Sequence, residues 1–263
     1  MERKIMFFDI DGTILAEDTR IIPDSTVKAI KAARAKGHLA FINTGRTYFN
    51  IEKEIRDIGF DGFVCGCGTY INIDNQVLVA VTIEEATCKT IIELLRKHNM
   101  DAVLEGLEDV YFDSKEIISD DMKMIQDHFH KRGYGLMKNW DHKGLLFDKI
   151  FAKANPNTDM NQFKTELGDG FDYIDRGEDL YEIVPSGYSK ASGIKQVLEH
   201  YHLSLENTYV FGDSSNDLPM FRYAPNSIAM GNSDACILNI ASFVTKDIHE
   251  DGIAYAMQHF QII

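Results

Sequence analysis

The chain has 263 residues, 44% of them hydrophobic and 26% charged, a soluble globular balance with length for one large domain or two moderate ones. Its 41 acidic against 27 basic side chains leave a net charge of −14, which argues against nucleic acid and anionic membranes as partners. Four cysteines make no disulfide framework, the basic opening Met1-Glu2-Arg3-Lys4 leads into an apolar run that stops at Asp9, and no stretch nears the ~20 apolar residues of a membrane span; a cytoplasmic protein is expected.

Residues 5–9 are a short, continuous apolar run and predict a buried strand. A helix follows, N-capped by Asp24 or Ser25, with Val27, Ile30 and Ala33 at apolar spacing and Gly37 as its stop. Leu39-Ala40-Phe41-Ile42 predicts a second buried strand that ends in Asn43-Thr44-Gly45-Arg46. A helix over 47–58 then leads to a third strand, Gly62-Phe63-Val64-Cys65. Strands apolar throughout and alternating with helices are the pattern of a parallel sheet covered on both faces. The stretch TYINIDNQVLVAVTI alternates about Asp74-Asn75 and predicts a hairpin.

From Thr82 the pattern changes. A helix over 84–98 is followed by the strands DAVLEGL and DVYFDS, a polar helix over about 116–132, the strand KIFAKA, the helix MNQFKTEL, and the strands FDYIDRG and DLYEIV. This is mixed α+β sequence with antiparallel character, and it holds the single tryptophan, Trp140, in a loop-like stretch. After Pro185 the strand–helix alternation returns: a helix from Lys190 to about Tyr201, the strand TYVFGD, a helix opening at Asn216, then SIAMG, SFVTK and a last helix near 251–259. The expected organisation is an α/β core, residues 1–82 and 185–263, interrupted by an inserted domain over 83–184.

Three of the buried strands end in polar clusters: Asp9 and Asp11, then Thr44-Gly45-Arg46, then Gly212-Asp213. In an open parallel sheet the binding crevice lies beyond the carboxyl ends of the strands, so these groups can meet in space. Asp9 and Asp11, two apart on a strand, share a face about 6.6 Å apart. At that distance two like charges repel by roughly 2–3 kcal/mol at an effective dielectric near 20, a cost that predicts a cation, a shared proton, or both. Lys190 at a helix start gains nothing from the helix dipole. Three carboxylates suit a hard divalent cation such as Mg²⁺, while a hydroxyl, a lysine and backbone amides suit the oxygens of a phosphoryl group. Cys65 and Cys67 form a C-x-C pair without a second cluster at zinc spacing, and the His128/His130 and His200/His202 pairs diverge on helices, so neither pattern is a strong metal site.

The ordered series DIDGT at 9–13, NTGR at 43–46, SGYSKASGI at 186–194 and GDSSND at 212–217 resembles the haloacid dehalogenase (HAD) superfamily, in particular its Cof-like phosphatases with a large α/β cap. The trailing IAMGNSDA and HEDGIAYAM fit the same resemblance, which spans nearly the whole chain. It implies a Rossmann-like parallel core with helices on both faces and an inserted α+β cap that selects the substrate. It further implies that Asp9 is the nucleophile and a Mg²⁺ ligand, that Asp11 is the general acid and base with its carbonyl on the metal, and that Asp213 is the remaining protein ligand. Ile10, Thr44, Gly45, Lys190 and Asn216 would hold the phosphoryl group, with Asp217 supporting Lys190 or a metal-bound water. Arg46 is either a substrate clamp or a surface arginine. The implied activity is Mg²⁺-dependent hydrolysis of small phosphorylated metabolites through an aspartyl-phosphate, with a mutase-type phosphotransferase or a phospho-aspartate signalling switch as alternatives. Two departures stand out: Lys190 is followed by Ala191, Ser192 and Gly193 where relatives often have Lys-Gly, and Cys67-Gly68-Thr69 stands where they often have Asn-Gly-Ala. The residues say nothing of oligomeric state.

Overall fold

A computed structural model describes residues 2–263. The chain opens with β1 (Ile5–Phe8), α1 (Asp24–Ala35), β2 (Leu39–Asn43), α2 (Lys53–Arg56), β3 (Gly62–Cys65), β4 (Tyr70–Ile73) and β5 (Gln76–Ala80). There follow α3 (Glu85–Lys97), β6 (Met100–Glu105), β7 (Val110–Tyr111), α4 (Asp120–Lys131), β8 (Lys149–Ala154), α5 (Met160–Leu167), β9 (Phe171–Asp175) and β10 (Leu180–Pro185). It ends with α6 (Lys190–Tyr201), β11 (Thr208–Gly212), α7 (Leu218–Tyr223), β12 (Asn226–Ala229), α8 (Ala235–Leu238), β13 (Phe243–Val244) and α9 (Gly252–His259). Two compact units result. One contains the residues to Arg46, Asn50–Ala80 and Tyr188–Ile263; the other contains Thr47–Phe49 and Val81–Gly187.

The first unit is built on an eight-stranded sheet in the order β13-β12-β11-β1-β2-β3-β4-β5. The strands from β13 to β3 run parallel, and the β4–β5 hairpin adds an antiparallel margin. Every residue of β1, β2, β3 and β11 is buried, which is why these strands read as unbroken apolar runs. Phe7, Phe41, Val64 and Val210 pack with Ile194 and Val197 of α6 in one core cluster. The hairpin turns on Asp74 and Asn75, whose φ values of 48° and 63° are those of a tight primed turn. The mixed α/β class and parallel core agree with the sequence reading.

Local boundaries differ in four places. The expected helix over 47–58 is a 3₁₀ turn at Tyr48–Asn50 and the short α2, parted at Glu52, whose backbone is extended (ψ 149°). The helix at Asn216 opens as a 3₁₀ turn, Ser215–Asp217, and becomes α7 only at Leu218, where Pro219 suits the first helical turn. In α4 the start moves to Asp120, because Ser119 caps it by accepting from the Met122 amide at 3.2 Å. Finally, α1 begins directly after Pro23 with no side-chain cap from Asp24 or Ser25.

The second unit carries a five-stranded antiparallel sheet in the order β7-β6-β8-β10-β9. Alternation along β6 and β8 serves two clusters: Leu104 and Ile150 join Leu95 and Phe163 of α3 and α5, while Val103 and Phe151 meet Met122 and Phe129 of α4. Trp140 is buried, its indole N–H donating to the Tyr111 carbonyl at 2.8 Å. Lys149, Glu105 and Glu182 are among the charged residues buried here. The Lys149 ammonium lies 3.2 Å from Glu105 and 3.1 Å from Glu182, on neighbouring strands. Removing the cation takes a charge partner from each of two buried carboxylates, with Arg176 still 3.5 Å from Glu182, and breaking a buried pair costs about 3–5 kcal/mol. Lys149→Met should therefore lower the urea midpoint by a matching amount with an unchanged slope; an unaltered midpoint would show that these carboxylates reach water.

Candidate active site

β1 and β11 pair in parallel with Phe8 opposite Phe211, and the Asp9 amide continues the ladder by donating to the Phe211 carbonyl at 3.0 Å. Asp213 follows Gly212 at the end of β11, so both carboxylates emerge beyond the same sheet edge. On the other flank β2 ends at Asn43, and the Thr44 amide donates to the Val64 carbonyl at 2.9 Å. The start of α6 is secured from two directions. Ser189 and Ser192 close a capping box, with Ser192 Oγ accepting from the Ser189 amide at 2.8 Å and Ser189 Oγ accepting from the Ser192 amide at 3.1 Å. The Asn43 amide group donates to the Lys190 carbonyl at 3.0 Å, tying the helix start to the end of β2. Ser192 thus has a structural role within SGYSKASGI.

Lys190 is buried, with its ammonium 2.8 Å from Asp9 Oδ1, 2.5 Å from Asp217 Oδ1 and 3.2 Å from Asn216 Oδ1. Burial alone would lower its pKa, but Asp217 and Asp9 outweigh that and raise it, so the group stays charged. The second oxygen of Asp217 accepts from the amides of Asp213, at 2.9 Å, and Ser214, at 3.1 Å. The Thr13 hydroxyl donates to Asp213 Oδ1 at 2.8 Å. Carboxylate oxygens of Asp9, Asp213 and Asp217 lie within 4.8 Å of one another. Burial, and then the neighbouring carboxylates, push Asp9 up to about 7 despite Lys190, and Asp213 up to about 8.

Two glycines permit this crowding. Gly12 has φ +73°, and a Cβ there would sit 2.3 Å from Asp213 Oδ2; a Cβ on Gly212 would sit 2.5 Å from the Asp217 carboxyl carbon. The donors are hard, anionic oxygens, the chemistry of Mg²⁺ or Ca²⁺. Asp217 is committed on both oxygens. Asp9 and Asp213 each have one oxygen engaged by a side chain and a second with which to hold a divalent cation.

Asp11 stands apart from that trio. The Arg46 guanidinium grips both of its oxygens, Nε reaching Oδ2 at 2.7 Å and Nη2 reaching Oδ1. Arg46 also pairs with Glu52, and Arg20 bridges Glu52 at 2.9 Å and Asp11 at 3.4 Å. Burial would raise the Asp11 pKa, but these arginines hold it below the ordinary carboxylate range. Arg46 is therefore an ion-paired residue with a 13% exposed side chain, not a solvated surface arginine. Thr44 Oγ1 accepts from the Arg46 amide at 3.2 Å, Gly45 lies between them, and Asn216 Oδ1 also accepts from Ser214 Oγ at 3.1 Å. The Ile10 carbonyl takes the amides of Ile14 and Leu15, both at 2.9 Å. Sequence reasoning gave no part to Thr13, Asn43, Arg20 or Glu52. The first two sit inside motifs it had singled out; nothing local marks the others.

The family described as haloacid dehalogenase-like hydrolase matches this sequence over residues 6–257. The chain belongs to that family. This HAD-like hydrolase is 34% identical over 269 residues, the full length of both chains, to "Putative phosphatase YkrA" of Bacillus subtilis (strain 168). It is 27% identical over 278 residues, 99% of each chain, to the 5-amino-6-(5-phospho-D-ribitylamino)uracil phosphatase YitU of the same organism. Among solved structures it is similar to the HAD subclass IIB sugar phosphatase BT4131, with a TM-score of 0.81 at 26% identity, covering 99% of this chain and 100% of that one.

The raised carboxyl groups have a consequence for stability. An acid whose folded pKa exceeds its unfolded value stabilises the fold below the unfolded pKa and loses that contribution as pH rises through the folded one. For Asp9 and Asp213 the window runs from the ordinary carboxylate value of 3.8 to about 8. Chelated HAD-like hydrolase should thus show a falling Tm between pH 5 and 8, on the order of the window those shifts span, and millimolar Mg²⁺ should restore it most at the upper end. A flat Tm in chelator would mean that these carboxylates are already compensated.

Proposed function

We propose that the protein is a Mg²⁺-dependent phosphomonoester hydrolase that acts on small phosphorylated metabolites of the sugar or polyol kind through a phospho-aspartate at Asp9. The observation that carries this reading is the buried Asp9–Lys190–Asp217 chain beside Asp213 at the ends of two adjacent parallel strands. One oxygen of Asp9 would attack phosphorus and the other would bind Mg²⁺, with the Lys190 ammonium 2.8 Å from Oδ1 offsetting the carboxylate charge. Asp9 and Asp213 would hold Mg²⁺, which supplies positive charge to the phosphoryl oxygens when bound. Lys190, Thr44, Asn216 and the amides of Ile10 and Gly45 would hold the same group through ammonium, hydroxyl and N–H donors.

In the first half-reaction a phosphorus–oxygen bond forms at Asp9 as the ester bond breaks, and Asp11, which must first take up a proton against the pull of Arg46 and Arg20, gives it to the departing alkoxide. In the second, Asp11 removes a proton from water, the water oxygen attacks phosphorus, and the Asp9 carboxylate departs. Such acid–base help is typically worth about 10²–10⁴-fold. The substrate class is supported by relatives named for a sugar phosphatase and for a phosphoribitylamino-uracil phosphatase. The unit comprising Thr47–Phe49 and Val81–Gly187, which has its own sheet and core, is proposed to govern which ester is accepted.

Purified protein should release inorganic phosphate steadily from members of a metabolite-phosphate panel. Exhaustive chelation should stop it, Mg²⁺ should restore it and Ca²⁺ should do so poorly, since Mg²⁺ alone fits tight octahedral geometry. Asp9→Asn should keep the fold and lose at least about 10³-fold in turnover, the loss of a nucleophile rather than of one hydrogen bond. Activity persisting in chelator would remove the metal from the account. A wild type that stops after one phosphorylation would make it a switch, and phosphate passed to a sugar acceptor rather than to water would make it a transferase.

A further inference from the structure

The charged groups around Asp11 form a chain that the proposed chemistry does not use directly. Arg46 lies three residues beyond the end of β2, and its fork is divided: Nε and Nη2 serve the Asp11 carboxylate and Nη1 serves Glu52. Glu52 in turn accepts from Arg20 Nη2 at 2.9 Å, and Arg20 Nη1 returns to Asp11 at 3.4 Å, closing a ring of two arginines and two carboxylates. The four members come from three segments: Asp11 and Arg20 from the loop after β1, Arg46 from the loop after β2, and Glu52 from the break before α2. Glu52 is the point at which the backbone leaves helical geometry, and its carboxylate is where the two guanidinium groups meet. A bidentate guanidinium fixes a carboxylate's plane as well as its place, which a lysine cannot do.

We propose that Arg46, backed by Glu52 and Arg20, is the positioning residue that sets where the Asp11 side chain stands, and that it does not bind the substrate. The proposal rests on reading Asp11 as the acid and base of the reaction. All three nitrogens of the Arg46 guanidinium are engaged within the protein: Nε and Nη2 on Asp11, and Nη1 on Glu52 and the Asn50 carbonyl at 3.4 Å. What the ring controls is the orientation of Asp11, and misplacing a catalytic group by about 1 Å can cost on the order of 10²-fold.

The distinction is measurable because the two half-reactions need Asp11 unequally. With p-nitrophenyl phosphate the leaving group departs without an acid, whereas glycerol phosphate needs one. Under rapid quench, Arg46→Ala should release a burst of nitrophenol near one equivalent at a rate within about threefold of wild type, followed by steady turnover slowed about 10–100-fold. With glycerol phosphate, kcat should fall by a similar factor of about 10–100 while KM stays within about threefold. Arg46→Lys should recover only part of the loss, since an ammonium lacks the fork, and Glu52→Gln, which keeps both arginines, should show the same pattern at about 3–10-fold. A KM rise on both esters with no burst would overturn the proposal in favour of a substrate clamp, as would unchanged kinetics in both Arg46→Ala and Glu52→Gln.

The position of Asp11 can also be read without activity. In crystals of Arg46→Ala the Asp11 carboxylate should occupy more than one rotamer; a single rotamer identical to wild type overturns the positioning role even in an active enzyme. Wild type that hydrolyses neither ester, with Asp11 disordered in the variant, would retire the phosphatase reading and leave the positioning contact standing.

Discussion

A single buried ammonium group holds the site together. Lys190 bonds Asp9 on one side and Asp217 on the other, and it joins a helix start to two strand ends. Burying an isolated ammonium costs several kcal/mol, and the same is true of each carboxylate around it, so none of these groups is stable there alone. Together they remain one positive charge short of compensation at each of two carboxylates, and burial, with that shortfall second, drives Asp9 and Asp213 towards protonation. A divalent cation would bring the formal charge of the three carboxylates and the lysine to zero. The electrostatics therefore favour a cation and disfavour an empty site, and a phosphoryl group would enter a compensated pocket instead of an acidic one.

The remaining architecture can be understood as what this cluster requires. Strands paired in parallel deliver Asp9 and Asp213 to one edge, and glycines at positions 12 and 212 remove the Cβ atoms that would push Asp213 and Asp217 away. Lys190 needs its helix to start at a defined residue. The serine pair of the capping box and the Asn43 bond to its carbonyl supply that, at about 1 kcal/mol for a typical cap. Asp217, held through amides of residues 213 and 214, turns the loop after β11 into a rigid support for the ammonium. Asp11 is held by a different agency, two arginines, and so has an orientation independent of the Lys190 cluster.

Much of the fold was legible because burial on both faces leaves a simple trace. The runs at Ile5–Phe8, Leu39–Asn43 and Thr208–Gly212 are apolar or nearly so, and each stops at the polar residues that form the site. Asp9, Asp11, Asp213 and Lys190 could be grouped from their positions at strand and helix ends, while Asp217 came only with the family resemblance; the structure brings Asp9, Asp213, Asp217 and Lys190 together and sets Asp11 apart on Arg46. Residues 47–58 could not be read correctly, because the break at Glu52 coincides with ion pairs to Arg46 and Arg20 that local propensity does not register. The same contacts explain why Arg46 was ambiguous: its partners lie 35 and 6 residues away, and only one of the two is in a recognisable motif. Lys149 with Glu105 and Glu182 was equally silent, since each is an ordinary charged residue within its own strand.

The central claim is that Asp9 takes the phosphoryl group and that Asp11 is needed to release it. Asp11→Asn treated with p-nitrophenyl phosphate, quenched in acid and digested for peptide mass analysis tests both parts at once. The account predicts one phosphoryl group per chain, stable on the timescale of the assay and carried by the peptide containing Asp9, because the amide cannot activate water. Phosphorylation of a different peptide, or steady release of phosphate with no trapped enzyme species, would contradict it.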